Sequence, residues 1–431
     1  MIDVEASPQY ALVLHPVLGR EGEEHARLKL EEAVLLAGAL GVEVRGDLAI
    51  IVRDIKANNY FGSGKIDEIS AVIGERNINL VVVNTALAPI QQRNLEKLWN
   101  VKVIDRTGLI LEIFALRAAT KEGRLQVELA RLGYERSRLV RTWTHLERQR
   151  GGQGLMSGPG ETQIESDRRM LADKIGKLQK DLRQVRRTRA LQRTKRKRAP
   201  ERVVALVGYT NAGKSSLFNR LTTGGALEKD MLFATLDTTH RILPLPSGQN
   251  ALMSDTVGFI SDLPTDLVDA FRATLEEVKE ADLLIHVRDM SDPLSEQHKQ
   301  DVLEILDSIE AGSNHGQAMI EVLNKVDLIS DELKASLIGN TKKKQNSFMV
   351  SCTKKIGLET LLEGIETELS KADHVVDVTI EPQDMQVRAW LHQHGNVLDE
   401  TILEQGQCRM RVRLTQVDAG KLHTHHPQVL G

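Results

Sequence analysis

Cysteine is almost missing from these 431 residues: Cys352 and Cys408 are the only two. Two thiols cannot staple a small secreted domain, and their scarcity fits a reducing compartment, which we expect to be the cytoplasm. Aromatic side chains are scarce as well, at 3% of the chain, so its cores must rest on Leu, Ile and Val. No uninterrupted apolar run reaches the ~18 residues that a membrane-spanning helix needs, which argues against stable insertion while leaving peripheral association open. The opening MIDVEASPQY has neither the basic nor the apolar region of a secretory signal. Repeats of fixed period are absent too. What is present, 41% apolar and 27% charged residues, describes neither a disordered polymer nor a membrane protein. The length allows two to four domains.

The net charge of −3 conceals an uneven distribution. Between Arg117 and Arg198 stand 23 Lys and Arg against 9 Asp and Glu, an excess of 14, so the rest of the chain carries −17. A basic block on an acidic chain points to a polyanionic partner, either nucleic acid or an anionic membrane surface. A solvated helix rich in lysine would carry the same sign. Here arginines outnumber lysines, and a guanidinium suits bidentate phosphate contact.

Residues 1–115 alternate short apolar runs with helical spacing. ALVLHPV (11–17), AIIVRDI (49–55), LVVVNTA (80–86) and VKVID (101–105) predict buried strands, and segments 23–40 and 89–99 predict helices between them. Such alternation builds a small parallel sheet flanked by helices. Over 116–199 the pattern changes to long helices. Leu125, Leu129, Leu132, Leu139, Trp143 and Leu146 form one heptad seam, and Leu171, Ile175, Leu178, Leu182 and Val185 form another. A glycine-rich break separates them, which predicts an antiparallel hairpin with a glycine-rich tip. Residues 200–371 return to α/β, with strands in RVVALVG, ALMSDTVG, ADLLIHVRD, MIEVLNKVD and SFMVSC. Residues 372–431 predict a small mixed βαββ domain and a polar end.

GYTNAGKS, Gly208 to Ser215, matches the phosphate-loop pattern G-x-x-x-x-G-K-[ST] and stands between an apolar strand and a helical segment, as its mechanism requires. Backbone N–H groups of Gly208, Tyr209, Thr210, Asn211, Ala212 and Gly213 would cradle nucleotide phosphates. Lys214 would reach the β- and γ-phosphates, and Ser215 would ligate Mg2+. Asp255, Thr256, Val257 and Gly258 end the strand ALMSDTVG. A carboxylate there can hold Mg2+ through water, and the Gly258 N–H can meet a γ-phosphate.

LNKVD supplies Asn324, Lys325, Val326 and Asp327. Guanine offers N1–H and N2–H2 as neighbouring donors that one carboxylate accepts together, whereas adenine presents an acceptor at N1; Asp327 therefore selects GTP. Ser351, Cys352 and Thr353 would close over the base with backbone amides. The expected fold class is α/β: a P-loop GTPase domain, preceded by a small α/β domain with a long antiparallel helical hairpin and followed by a small α+β domain. The expected reaction is GTP and water to GDP and phosphate.

Taken in order, RGGQGLMSGPGETQIESDRR (150–169), FATLDTTHR (233–241) and DTVGFISDLP (255–264) resemble the HflX family of ribosome-associated GTPases, over essentially the whole chain. The resemblance implies docking of the N-terminal domain and hairpin on the large ribosomal subunit and its rRNA, and splitting of idle or stalled ribosomes after stress. It also makes Phe233, Ala234, Thr235, Leu236 and Asp237 the switch segment, with Thr235 as the second Mg2+ ligand. Lys214, Thr235 and Gly258 would then act on the reacting phosphate. We expect a monomer with no DNA partner. Two positions depart from the family pattern. Thr238 follows Asp237 where Pro is usual, so Thr235, Thr238 and Thr239 all offer a hydroxyl. Cys352 stands where Ala is common.

Two other functions fit parts of the sequence. One is a signalling GTPase whose protein effector binds the helical arm. The other is an ATP-driven RNA remodeller working through Gly62-Ser63-Gly64-Lys65, a stretch that lacks the first phosphate-loop glycine and reads as a helix N-terminal turn. Phe259 follows the DxxG pattern at the position where Ras-like enzymes carry a water-orienting Gln. Its ring cannot bond water, so hydrolysis by the isolated protein should be slow; it also fits a core position beside the switch. His423, His425 and His426, with His392 and His394, lack nearby Cys or acidic ligands and read as a flexible tail. The glycine-rich tip is longer than the ~2–8 residues a helix–helix turn needs. Flanked by Arg148, Arg150, Arg168 and Arg169, it suits a crowded RNA surface.

Overall fold

The computed structural model describes residues 9–19, 21–149, 159–196, 202–222, 233, 238–261, 272–341, 346–371, 373–403 and 406–429. The chain divides into two compact units. One holds residues 1–187 with 229–237 and 262–273; the other holds 188–228, 238–261 and 274–431.

In the first unit, β1 (Tyr10–Leu18), β2 (Glu43–Val52), β3 (Leu80–Val83) and β4 (Lys102–Asp105) form an all-parallel sheet of order β2-β1-β3-β4. The helices are α1 (Glu23–Ala39), α2 (Ser63–Glu75), α3 (Pro89–Trp99) and α4 (Arg106–Arg117). All four residues of β3 are buried, the signature of a strand covered on both faces. Strand β2 begins at Glu43, six residues before its apolar run. Its first half alternates polar and small residues, as an edge strand does when one side meets water. Local chemistry sets the helix ends. Pro89 occupies the first turn of α3, Gln91 accepts the Ala88 N–H at 2.8 Å, and Asp105 caps α4 by accepting the Gly108 N–H at 2.8 Å. Gly62-Ser63-Gly64-Lys65 forms the start of α2, with Gly62 as its N-cap.

Two long helices follow, α5 (Lys121–Gln149) and α6 (Pro159–Arg196). Leu132 of one seam and Ile175 and Leu182 of the other are buried. Arg168 and Arg169 are exposed, while residues 150–158, the body of the glycine-rich tip, lie outside the described residues.

The second unit carries a six-stranded sheet, β10-β9-β8-β5-β7-β6. Its strands are β5 (Arg202–Val207), β6 (Thr239–Pro244), β7 (Asn250–Asp255), β8 (Leu283–Asp289), β9 (Ala318–Asn324) and β10 (Ser347–Met349). Every pairing is parallel except β6 with β7. Helices α7 (Lys214–Leu221), α8 (Arg272–Lys279), α9 (Ser295–Ser308), α10 (Asp331–Thr341) and α11 (Leu358–Ser370) alternate with the strands. The core joins Leu206, Leu217, Ile285, Val287, Ile320 and Val322, all fully buried, each stabilising by about 1.5–3 kcal/mol relative to exposure. Strand order reverses at β5, so a crevice opens at the carboxyl ends of β5 and β8, where such sheets bind ligands.

The chain ends in a three-stranded antiparallel sheet, β11 (His374–Ile380), β13 (Cys408–Leu414) and β12 (Asn396–Ile402), with α12 (Met385–His394). Cys408, Met410, Val412 and Leu414 point into its core, while Arg409 and Arg411 between them face water. The segment expected as a flexible polar tail is instead α13 (Gln416–His425). Thr415 caps it by accepting the Asp418 N–H at 3.1 Å, and Leu422 is fully buried. Among the described residues no helix is long and apolar enough to cross a membrane, and no cluster of three or more His, Cys, Asp or Glu could hold a metal ion.

Candidate nucleotide-binding site

The predicted motifs converge on the crevice at the strand ends. Residues 208–213 leave β5 as a loop, and Lys214 opens α7. Gly208 has φ +148, and a Cβ there would come within 2.3 Å of the Val287 carbonyl oxygen, so only glycine lets β5 turn this close to β8. Lys214 is 6% exposed. Its ammonium donates to the carbonyls of Gly208 at 3.0 Å and Tyr209 at 2.7 Å. Burial lowers its pKa to about 8, against an opposing pull from Asp255. A cation this dry, held by two neutral carbonyls and drawn by one carboxylate, suits a phosphate.

Beside it the Ser215 hydroxyl donates to Asp255 Oδ2 at 2.7 Å, across from α7 to the tip of β7. A hydroxyl and a carboxylate are hard oxygen donors, the kind that Mg2+ prefers. Thr256 is spent on the fold, donating to the Leu206 carbonyl at 2.5 Å. Gly258 lies against Lys214 and Thr210: a Cβ there would sit 2.9 Å from Lys214 Nζ. Phe259 is 4% exposed, which is the core position rather than a water-facing one.

At the other end of the crevice, Asn324 closes β9 and bonds in two directions. Its Nδ2 donates to the Ala212 carbonyl at 2.9 Å, and its Oδ1 accepts the Cys352 N–H at 3.4 Å. Lys325, at φ +61, pairs with Asp289 at 2.6 Å. Val326 is buried and Asp327 half-buried. Ser351 is fully buried, with its hydroxyl accepting the Lys354 N–H at 3.0 Å; Cys352 is buried and Thr353 exposed.

Not every predicted residue joins this group. Ala234, Thr235, Leu236 and Asp237 lie outside the described residues. Phe233 belongs to the first unit, where its buried ring packs edge-on against Phe114 of α4 with centroids 4.7 Å apart. Thr239 begins β6 opposite Asp255, and the Thr238 hydroxyl is buried without a hydrogen-bond partner among the described residues.

Comparison with known proteins follows the same layout. Four family models match in succession: "GTP-binding GTPase N-terminal" over residues 27–115, "GTP-binding GTPase Middle Region" over 117–196, "50S ribosome-binding GTPase" over 203–325 and "HflX C-terminal domain" over 336–428. The GTPase HflX of Magnetococcus marinus is 46% identical over 399 residues, 93% of this chain and 91% of that one. The chain belongs to the HflX family of GTPases. The GTPase HflX of Escherichia coli is 41% identical over 404 residues, 93% of each chain. A GTP-binding protein of Sulfolobus solfataricus, solved with GDP, is 26% identical, with a TM-score of 0.46 over 84% of this chain and 99% of that one.

The HflX-family chain is thus a GTPase, and its P-loop domain is the one that the sequence motifs mark. Three partners of that site escaped those motifs. Asp289, which holds Lys325, was signalled only by being an acid at the end of an apolar strand. Arg220 of α7 donates to the Cys352 carbonyl at 3.1 Å and so fixes the loop that carries Ser351, Cys352 and Thr353; nothing in its sequence context marks it. The third is a cluster around the Tyr209 ring, formed by residues far apart in the chain.

Proposed function

We propose that this GTPase binds the large ribosomal subunit through its N-terminal domain and basic helices, and that its nucleotide state governs docking and the splitting or rescue of stalled and idle ribosomes. The observation that carries this reading is the excess of 14 positive charges over Arg117–Arg198, with Arg168 and Arg169 exposed on α6. The description of the family model matched by residues 203–325, a 50S ribosome-binding GTPase, supports it. The protein would work as a cytoplasmic monomer. Sedimentation with 50S subunits in GTP, GDP and a non-hydrolysable GTP analogue tests it; pelleting that ignores nucleotide would overturn nucleotide control.

In the nucleotide site, the loop amides of 208–213 and Lys214 bind the phosphates, Asp327 reads guanine, and the backbone of Ser351, Cys352 and Thr353 lines the base. Ser215 and Thr235 would hold Mg2+, with Asp255 supporting the site, and the ion would supply charge neutralisation at the phosphates. The pairing of Ser215 with Asp255 supports that donor set. Gly258 offers its N–H to the γ-phosphate.

The Phe259 ring cannot hydrogen-bond an attacking water. Isolated protein should therefore turn GTP over slowly, and saturating 50S subunits should accelerate it more than tenfold, because a partner must complete the catalytic arrangement. A rate unchanged by subunits in a phosphate-release assay would reject partner activation.

Glu at Arg148, Arg150, Arg168 and Arg169 together should abolish cosedimentation and the subunit-stimulated rate while leaving GTP affinity intact. Every RNA phosphate that is no longer neutralised lowers the salt slope by about one. A protein effector bound through an apolar interface would give no such slope. If the quadruple variant binds GTP and still pellets across the salt range, the helices are not the RNA-docking arm.

A further inference from the structure

The general phosphate-loop pattern places no demand on the residue after its first glycine, yet here that residue is a buried tyrosine held by both its ring and its hydroxyl. Tyr209 is 7% exposed and stacks flat on His298 of α9, centroids 3.6 Å apart and planes within 9°. His298 is itself held by Asp292, Nδ1 to Oδ2 at 2.9 Å. The Tyr209 hydroxyl oxygen accepts the Ser261 N–H at 2.9 Å and lies 2.9 Å from Ser261 Oγ. Ser261 Oγ in turn donates to Asp301 Oδ2 of α9 at 2.5 Å. With the Ser261 proton committed to Asp301, the Tyr209 O–H donates to Ser261 Oγ, and the chain of donors ends on a carboxylate.

Ser261 lies three residues after Gly258. Between them Phe259 pairs with the phosphate loop as a one-residue parallel bridge: Thr210 N–H donates to the Phe259 carbonyl at 2.7 Å, and Phe259 N–H donates to the Gly208 carbonyl at 3.1 Å. Two main-chain bonds alone hold a register weakly, since each contributes only about 1 kcal/mol net. The Tyr209 side chain adds a second attachment two residues farther along. Together they press Gly258 onto Thr210 and Lys214, where no Cβ fits.

We propose that Tyr209 is the positioning residue of the γ-phosphate sensor: anchored on α9, it holds Ser261 so that Gly258 stays in the register at which its N–H meets a γ-phosphate. The preference for GTP over GDP then depends on a side chain that touches neither nucleotide. This rests on the assignment of Gly258 as the γ-phosphate donor.

Tyr209→Phe keeps the stack on His298 and removes the hydroxyl. Its affinity for a non-hydrolysable GTP analogue should fall about tenfold by fluorescence titration, as expected for two hydrogen bonds, while GDP affinity stays within twofold. Ser261→Ala should lose the same preference, and the double variant should be no worse than either single one, because all three cut one network. Equal loss of analogue and GDP would make Tyr209 a mere support of the loop, and additive single effects would deny the shared network; either result overturns the proposal. Gly258→Ala separates the two assignments. Alanine keeps the N–H, but its Cβ meets Thr210 and Lys214 and so shifts the register. If the preference for analogue over GDP is unchanged, the sensor role of Gly258 fails; if that preference falls while Tyr209→Phe retains it, only the positioning role fails.

Discussion

Lys214→Ala is expected to lower affinity for GTP by about 10³-fold and to abolish turnover with it. The size follows from the setting rather than from charge alone. The ammonium is 6% exposed and faces the carbonyls of Gly208 and Tyr209, and burial has pulled its pKa to about 8. A donor fixed in a dry site acts on phosphate charge without reorganising, which is where single donors contribute ~10²–10³-fold. A titration with a non-hydrolysable analogue, alongside phosphate release, measures both effects. Full hydrolysis by this variant would mean that another site does the chemistry and would return attention to Gly62–Lys65. The opening turn of α2 and its Gly62 N-cap give no support to that alternative.

Asp327→Asn is expected to cost about 10²-fold in GTP affinity and to raise affinity for xanthosine triphosphate. As a base reader the carboxylate would accept two guanine donors together; an amide would offer one acceptor and set its own N–H2 against the other donor. Xanthine carries a carbonyl where guanine has its amino group, so it matches the amide. The loop that carries Asp327 is held independently by Lys325 on Asp289, and the neighbouring 351–353 loop by Arg220 on the Cys352 carbonyl. The variant should therefore change base preference without loosening the site. Unchanged GTP binding in competition with both nucleotides would reject Asp327 as the base reader.

How much of this is legible in the chain differs from element to element. Strands buried on both faces announce themselves, since LVVV and RVVALV are continuous apolar runs. The phosphate loop, Asp255 and Asn324 are readable because each sits at a fixed distance from a strand end. Edge elements are harder. Strand β6, THRILP, has no clear pattern, because an antiparallel edge strand needs little apolar surface and only Leu243 is fully buried. Helix α13 resembles a tail because its apolar content is thin, although Thr415 three residues before Asp418 is a capping signal present in the sequence. The stack of Tyr209 on His298 has no signal at all. Residues 89 positions apart meet only once β5 and α9 are packed on one sheet.

Asn324 has a consequence for anyone redesigning the enzyme's nucleotide preference. One side-chain amide touches both the phosphate loop, at Ala212, and the loop proposed to line the base, at Cys352. The two ends of the pocket are therefore not separate cassettes. A base-reading loop grafted from another nucleotide-binding protein would arrive without the strut cut to this phosphate loop, and changes made at either end should show epistasis with the other. Directed evolution toward a new base would accordingly have to pass through Asn324, or first supply a different brace.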